Sequence, residues 1–290
     1  MVPSRVWVTS DIHIDYQENF NQLLDFARRG HRLDVLIIAG DATDRLEKLE
    51  QLFDQLVPCF YRVMFVPGNH ELWVRRSDHA DSVEKFNAIQ ALCHHYGVQT
   101  EPLRLGQYQH VWLVPLQSWY DDKQYPDHTL FLEKNHSNDR TDDMWGDFFH
   151  TRWPASIDVP LAQWFARHNE PFLHWNYDAP VISFSHFLPR QELIFPPGFN
   201  RAMLAKFVDP HPEFNFSRVA GSLRIHDQVR RLGSQVHVYG HQHRNRVMEL
   251  DGVTYVSHCM AYPRERQMGF VRADASEPRC IWREDTGFCL

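Results

Sequence analysis

Over the first third of the chain, short apolar runs alternate with stretches of helical period. Residues 6–10, VWVTS, predict a buried strand, and Phe20, Leu23, Leu24 and Ala27 then recur at i, i+3, i+4 and i+7 before Gly30 closes the segment. The same succession returns in DVLIIAG (34–40), followed by Leu46, Leu49, Leu52, Phe53 and Leu56. It returns again in RVMFVPGN (62–69), followed by a helical stretch over 82–96. Three strand–helix units in a row predict a parallel sheet.

Further apolar runs, VWLVPL (111–116), PVISFS (180–185) and QVHVYG (235–240), read as buried strands, and VMELDGVTYVSH (247–258) carries an Asp-Gly turn between two such runs, the signal of a hairpin. Residues 119–160 show no clean period and mix Trp, Tyr and Phe with acids and prolines. We read them as a long insertion packed over one face of a single domain spanning 1–290, because long loops of this kind usually serve a function. The chain shows no internal repeat and no low-complexity tract.

Charge and composition narrow the classes. At 290 residues with 30 Lys+Arg against 37 Asp+Glu, the chain carries a formal charge of -7, which argues against a surface built to grip duplex nucleic acid. Five cysteines without a CxxC pair cannot all be bridged, and a reducing compartment is the simpler expectation. A strand-like run begins almost at the first residue, leaving no room for a signal peptide, and no window holds ~18 uninterrupted apolar residues. A cytoplasmic protein with no membrane partner is therefore expected; the pattern does not specify an oligomeric state. The unusual number is 19 histidines, the side chain best suited to metal ligation and to proton transfer near neutral pH.

Their positions matter more than their number. Asp11 and His13 follow the first predicted strand, Asp41 the second, Asn69 and His70 the third, His186 the run 180–185, and His241 and His243 the run 235–240. Each cluster alone has a structural explanation, since an Asp after a strand commonly caps the next helix. Capping does not explain five clusters at the same end of five strands, the edge where open α/β sheets bind ligands. As a set they suit a dinuclear centre: two cations roughly 3.5–4 Å apart repel, a bridging carboxylate lowers that cost, and Asp41 is the natural bridge.

The blocks DIH (11–13), GDATD (40–44), GNHE (68–71), FSHF (184–187) and GHQH (240–243) resemble, in order, the pattern of the calcineurin-like metallophosphoesterases. The resemblance implies that family's α/β fold, a four-layer sandwich of two mixed β-sheets flanked by helices. It implies one cation on Asp11, His13, Asp41 and His243, and a second on Asp41, Asn69, His186 and His241. His70 would face the substrate as general acid, and Asp44 and Glu71 would be carboxylates that orient imidazoles. The O/N ligand set suits two divalent or mixed-valent ions, Mn, Fe or Zn above all. GDATDRL has Leu46 where the protein Ser/Thr phosphatases carry glycine, and Asp44 stands where purple acid phosphatases place a tyrosine. GNHELW (68–73), FSHFLPRQEL (184–193) and AYPRER (261–266) resemble a group of plant and bacterial members.

The reaction so implied is hydrolysis of a small phosphomonoester or phosphodiester by metal-activated water. The alternatives are a dimetal iron enzyme of the same fold performing oxygen-dependent chemistry, and a non-catalytic scaffold. Arg75, Arg190 and Arg264 are the candidate phosphate contacts, because guanidinium forks match phosphate oxygens. Trp119, Tyr120, Tyr125 and Trp145 could stack on a ring or an apolar tail, or simply pin the loop that carries them.

Overall fold

The chain is described here by a computed structural model covering residues 4–134, 138–196, 198, 211–271 and 273–290. Strand β1 (Arg5–Thr9), helix α1 (Gln17–Ala27), β2 (His31–Ala39), α2 (Leu46–Leu56), β3 (Phe60–Val66) and α3 (Ser82–Tyr96) follow one another as the periodicity predicts. Helix α3 has sharp ends for local reasons. The Asp81 side chain accepts from the Val83 and Glu84 amides, and Gly97 leaves the helix at a φ of 68°, a conformation glycine adopts without penalty.

After α3 come β4 (Leu103–Leu105), β5 (Val111–Pro115), the short helices α4 (Thr141–Met144) and α5 (Asp147–His150), then α6 (Leu161–Leu173) and β6 (Val181–Phe184). The chain continues with α7 (Leu223–Arg231), β7 (Val236–Tyr239), the hairpin β8 (Arg246–Leu250) and β9 (Val253–Ser257), α8 (Pro263–Gln267), β10 (Arg279–Arg283) and β11 (Gly287–Phe288). One sheet has the order β11-β10-β1-β2-β3 and the other β4-β5-β6-β7-β9-β8. In the first, parallel β1-β2-β3 run to one edge and antiparallel β10 and β11 form the other; in the second, parallel β5-β6-β7-β9 are flanked by antiparallel β4 and β8, so both sheets are mixed. The hairpin turn is made by Asp251 and Gly252, both at positive φ, as the Asp-Gly signal requires.

The strands are apolar on both faces because both faces are covered. Val35, Ile37 and Ala39 of β2 join Val6, Val8, Met64, Ile182, Phe184, Val236 and Val256 in a core between the sheets. Leu36 and Ile38, the alternate residues, join Leu23, Leu49, Leu52, Phe53 and Phe86 of the helices. On the far sheet Tyr239 and Tyr255 pack with Phe165, Ile225 and Val229 of α6 and α7. The result is four layers, helices–sheet–sheet–helices, the metallophosphoesterase architecture. Strands β4, β10 and β11 escape sequence reading: β4 and β11 are two or three residues long, and β10, RCIWR, is flanked by charges and has no period of its own. Among the described residues, no helix is long and apolar enough to cross a membrane.

Residues 119–160 do more than lie over one face, although 135–137 fall outside the described residues. Trp119 and Tyr120 enter the core. Asp121 and Asp122 turn inward, Asp121 to Arg224 at 3.1 Å and Asp122 to Arg218 at 2.6 Å. Arg218, 2% exposed, also reaches Asp142 at 2.7 Å and Asp139 at 3.3 Å. One guanidinium thus ties three acids of the segment to the strand-end loop that precedes α7.

Removing Arg218 strands the buried Asp122 carboxylate, whereas the more exposed Asp139 and Asp142 keep their water. Arg218→Ala is expected to lower unfolding stability by about 3–5 kcal/mol, read from the midpoint of chemical denaturation; an unchanged midpoint would show that the clamp is ornamental.

Candidate metal centre

The ligand-type residues sit at the carboxyl ends of β1, β2, β3, β6 and β7, and both sheets bring those ends to one edge of the sandwich. Sharp turns are needed to aim them inward. Asp11, His13, Asp41, His241 and His243 all have positive φ, between 46° and 71°, a left-handed conformation that costs roughly 1–2 kcal/mol at each residue with a side chain. Backbone bonds hold the turns against each other: the Asp11 amide donates to the Gly40 carbonyl at 2.9 Å, His13 to Asp41 at 3.0 Å, and Gly240 to His186 at 2.9 Å. The His241 amide donates to Asp11 Oδ1 at 2.9 Å, locking β7's turn to β1's.

Two groups of donor atoms result. Asp11, His13 and His243 form one, Asp41, His186 and His241 the other, with the ligand atoms of each group within 4.8 Å of one another. His13 Nε2 stands 3.1 Å from His243 Nε2, and Asp11 Oδ1 3.5 Å from the latter. In the second group Asp41 Oδ2 lies 3.4 Å from His186 Nε2, and Asn69 Oδ1 lies 3.2 Å from His186 Nε2 and 3.1 Å from His241 Nδ1.

The tautomers of three imidazoles follow from acceptor-only partners. His186 Nδ1 donates to the Ala39 carbonyl at 2.8 Å, His241 Nε2 to the Val219 carbonyl at 2.9 Å, and His243 Nδ1 to Glu265 Oε2 at 2.6 Å. The opposite nitrogen of each ring is left facing its donor group, as metal-bound histidines require. Electrostatics show that the pocket favours positive charge: although burial opposes it, hydrogen bonds to Asp11 and Glu265 push His243 up to about 10, and Asp41 pushes His186 up to about 9. Burial drives His241 down to about 3. Buried carboxylates thus attract positive charge to this point, and the residues present fit a pair of cations.

Glycines preceding the ligands are there because nothing larger fits. A Cβ on Gly68 would lie 2.2 Å from Asp41 Oδ1, and one on Gly40, itself at φ 81°, would lie 2.5 Å from His186 Nδ1.

Two expected roles are corrected. Glu71 does not orient an imidazole: its carboxylate accepts from the amides of Gly68, Asp41, Ala42 and Thr43 at 2.5 to 3.0 Å. It welds two ligand-bearing loops together, and burial beside Asp41 pushes it up to about 7. Asp44 pairs with Arg75 at 2.8 Å, while the buried Lys85 ammonium donates to the Asp44 and Trp73 carbonyls. The imidazole-orienting carboxylate is Glu265, in α8, which the sequence does not single out; its only signal is an acid in the loop beyond β9.

A cavity of about 340 Å³ opens on the donor groups, lined by Asp41, Asn69, His70, His241 and His243 together with Trp73, Met144, Trp145, Phe216 and Tyr262. His70 stacks on Trp73, ring centres 3.7 Å apart, with Nε2 3.8 Å from Asp41 Oδ2. Of the aromatic candidates, Trp145 reaches the cavity; Trp119 and Tyr120 are core residues, and Tyr125 does not line it. Arg190 is not a phosphate contact here. It pairs with Glu192 and with Asp251 in the β8–β9 turn, at the end of β9 opposite the site. Arg75 is spent on Asp44 and lies over Trp73 at 4.5 Å. Arg264 is exposed on α8, one residue from Glu265.

Residues 4–245 match the family described as calcineurin-like phosphoesterase. The chain belongs to that family. As a calcineurin-like phosphoesterase it is a metal-dependent phosphoric ester hydrolase. It is similar to the [acyl-carrier-protein] phosphodiesterase PptH of Mycobacterium tuberculosis, 26% identical over 274 residues, 90% of this chain and 78% of that protein. The crystal structure of that phosphopantetheinyl hydrolase superposes with a TM-score of 0.71 at 21% identity, covering 97% of this chain and 96% of the other, a likeness of fold. A stretch of 95 residues, 30% of this chain, is 25% identical to an uncharacterized protein of Acanthamoeba polyphaga mimivirus, of which it spans 34%.

If the loops must close this tightly, one methyl group is enough to open them. Gly68→Ala in this calcineurin-like phosphoesterase should weaken metal retention about 10-fold or more, measured as metal content after dialysis against graded chelator; retention equal to the parent would refute the close-approach argument.

Proposed function

We propose that this calcineurin-like phosphoesterase hydrolyses a phosphodiester with an extended, partly apolar arm, of the kind cut by its phosphopantetheinyl-hydrolase relative. One observation carries the reading: two groups of donor atoms share one mouth with an aromatic wall, in a cavity of about 340 Å³, more than a lone phosphate fills. Asp11, His13, Asp41 and His243 would hold one cation, and Asp41, Asn69, His186 and His241 the other, with Asp41 between them. Manganese, iron and zinc suit this mixture of carboxylate, amide and imidazole.

Bound there, the cations supply a water of lowered pKa and neutralise charge on the phosphoryl oxygens. The chain does the rest. Trp73, Trp145, Phe216 and Tyr262 seat the apolar arm and exclude water from that side. His70 Nε2 would face the leaving-group oxygen, the position of a general acid, in a buried setting that holds its pKa below the ordinary value. Residues 119–160 contribute Met144 and Trp145 to a wall otherwise built by Trp73, Phe216 and Tyr262, so we read the chain from 1 to 290 as one functional unit.

Side-by-side turnover of bis-p-nitrophenyl phosphate, p-nitrophenyl phosphate and a phosphopantetheinylated carrier protein, the last followed by mass loss, tests the substrate class. The diesters should be cut in preference, and activity confined to the monoester would overturn the assignment. Asp41→Asn should cost about 10²–10³-fold or more in kcat while far-ultraviolet circular dichroism stays unchanged. An active, metal-replete Asp41→Asn enzyme would remove the dinuclear mechanism.

A further inference from the structure

Asp147 is a buried carboxylate from the aperiodic segment, 1% exposed. Its Oδ1 accepts from Asn69 Nδ2 at 2.8 Å and from Trp73 Nε1 at 2.6 Å, and its Oδ2 accepts from Trp145 Nε1 at 2.7 Å. Three donors from two segments, 69–73 and Trp145, converge on one carboxylate. The segment itself is anchored, since the Val74 amide donates to the His150 carbonyl at 2.7 Å and the Ser82 amide to the Arg152 carbonyl at 2.8 Å.

The consequence falls on Asn69. A side-chain amide is nearly symmetric in shape, so rotation by half a turn would present its NH₂ to the donor group in place of its carbonyl oxygen. A cation binds only the oxygen. Asp147 Oδ1, which already accepts from the Trp73 indole, accepts here from the NH₂ end of Asn69 and leaves Asn69 Oδ1 facing His186 and His241 at 3.2 and 3.1 Å. A charged acceptor on the N–H also draws electron density toward Oδ1 and makes it a better ligand.

We infer that Asp147 is a positioning residue for the cation site containing Asn69, and that through Trp73 and Trp145 it joins that site to the aromatic wall of the cavity. The inference rests on the reading of Asn69 as a ligand. No spacing rule connects Asp147 with Asn69, which are 78 residues apart.

The test is metal affinity, not turnover. Asp147→Asn preserves shape but must place an N–H against either the Asn69 or the indole donors. It should weaken the second metal equivalent about 10–100-fold by chelator competition, leaving the first unchanged, and should add no further loss in an Asn69→Ala background. Two metals bound by Asp147→Asn with parental affinity, or an equal further loss in the Asn69→Ala background, would overturn the inference. Parental affinity in Asn69→Ala alone would instead sink the ligand assignment beneath it. If Asp147→Asn does not fold, the metal-loaded parent decides: in its crystal structure Asn69 Nδ2 should remain within hydrogen-bond reach of Asp147, and separation of the two would overturn the role.

Discussion

The centre depends on holding two buried carboxylates and several imidazole lone pairs, all turned toward one another, at the base of an open cavity. Asp11 and Asp41 are 0% and 2% exposed, and such groups repel unless positive charge stands among them. A chain left to itself would splay them apart. The sandwich prevents this by placing each on a turn that leaves a parallel strand, where the next element cannot start without reversing the chain. Five of these residues sit in the left-handed region, so part of the folding free energy of both sheets is stored at the edge where the chemistry happens.

Strain alone would not keep the atoms aligned, and the remaining hydrogen-bonding capacity shows how alignment is achieved. Each of three imidazoles gives its N–H to an acceptor outside the centre, two of them backbone carbonyls of Ala39 and Val219. Glu71 gathers four amides of two loops, and Lys85 gathers two carbonyls of the same region. The ligand loops are thereby rigid before any cation arrives, which lowers the ordering cost of binding it.

Much of this was legible in the sequence where local physics decides. Asp81 and Gly97 bound α3 at the residues the pattern predicts, Asp251 and Gly252 make the expected hairpin turn, and the five clusters follow five strands because strand ends and ligand residues are adjacent in sequence. What stayed hidden depends on contacts between distant segments. Glu265 and Asp147 act on residues 22 and 78 positions away, and nothing in the local pattern of PRERQ or DFFH distinguishes them from solvated acids. Asp44 and Glu71 lie where an orienting carboxylate was expected, yet their partners are a guanidinium and backbone amides. Proximity in sequence does not determine which group a side chain reaches. Arg190 shows the same limit, because the hairpin turn that captures it lies 61 residues on.

The aperiodic segment gains a physical role from these long-range bonds. A loop that merely covered the site could be replaced by any apolar lid, but this one supplies Met144 and Trp145 to the cavity wall and sets Asp147 against the Asn69 amide. Four of its acids, Asp121, Asp122, Asp139 and Asp142, are paired with Arg218 or Arg224, so that part of its charge is compensated within the fold. The cavity lining therefore sets aromatic faces directly beside candidate metal ligands, Trp145 and Phe216 against His241. The proposed diester, anionic at one end and apolar along its length, would meet both kinds of surface at once, whereas a small phosphorylated metabolite would leave the aromatic faces wet. On that proposal the shape of the pocket, more than the ligand residues, would separate one phosphoester from another.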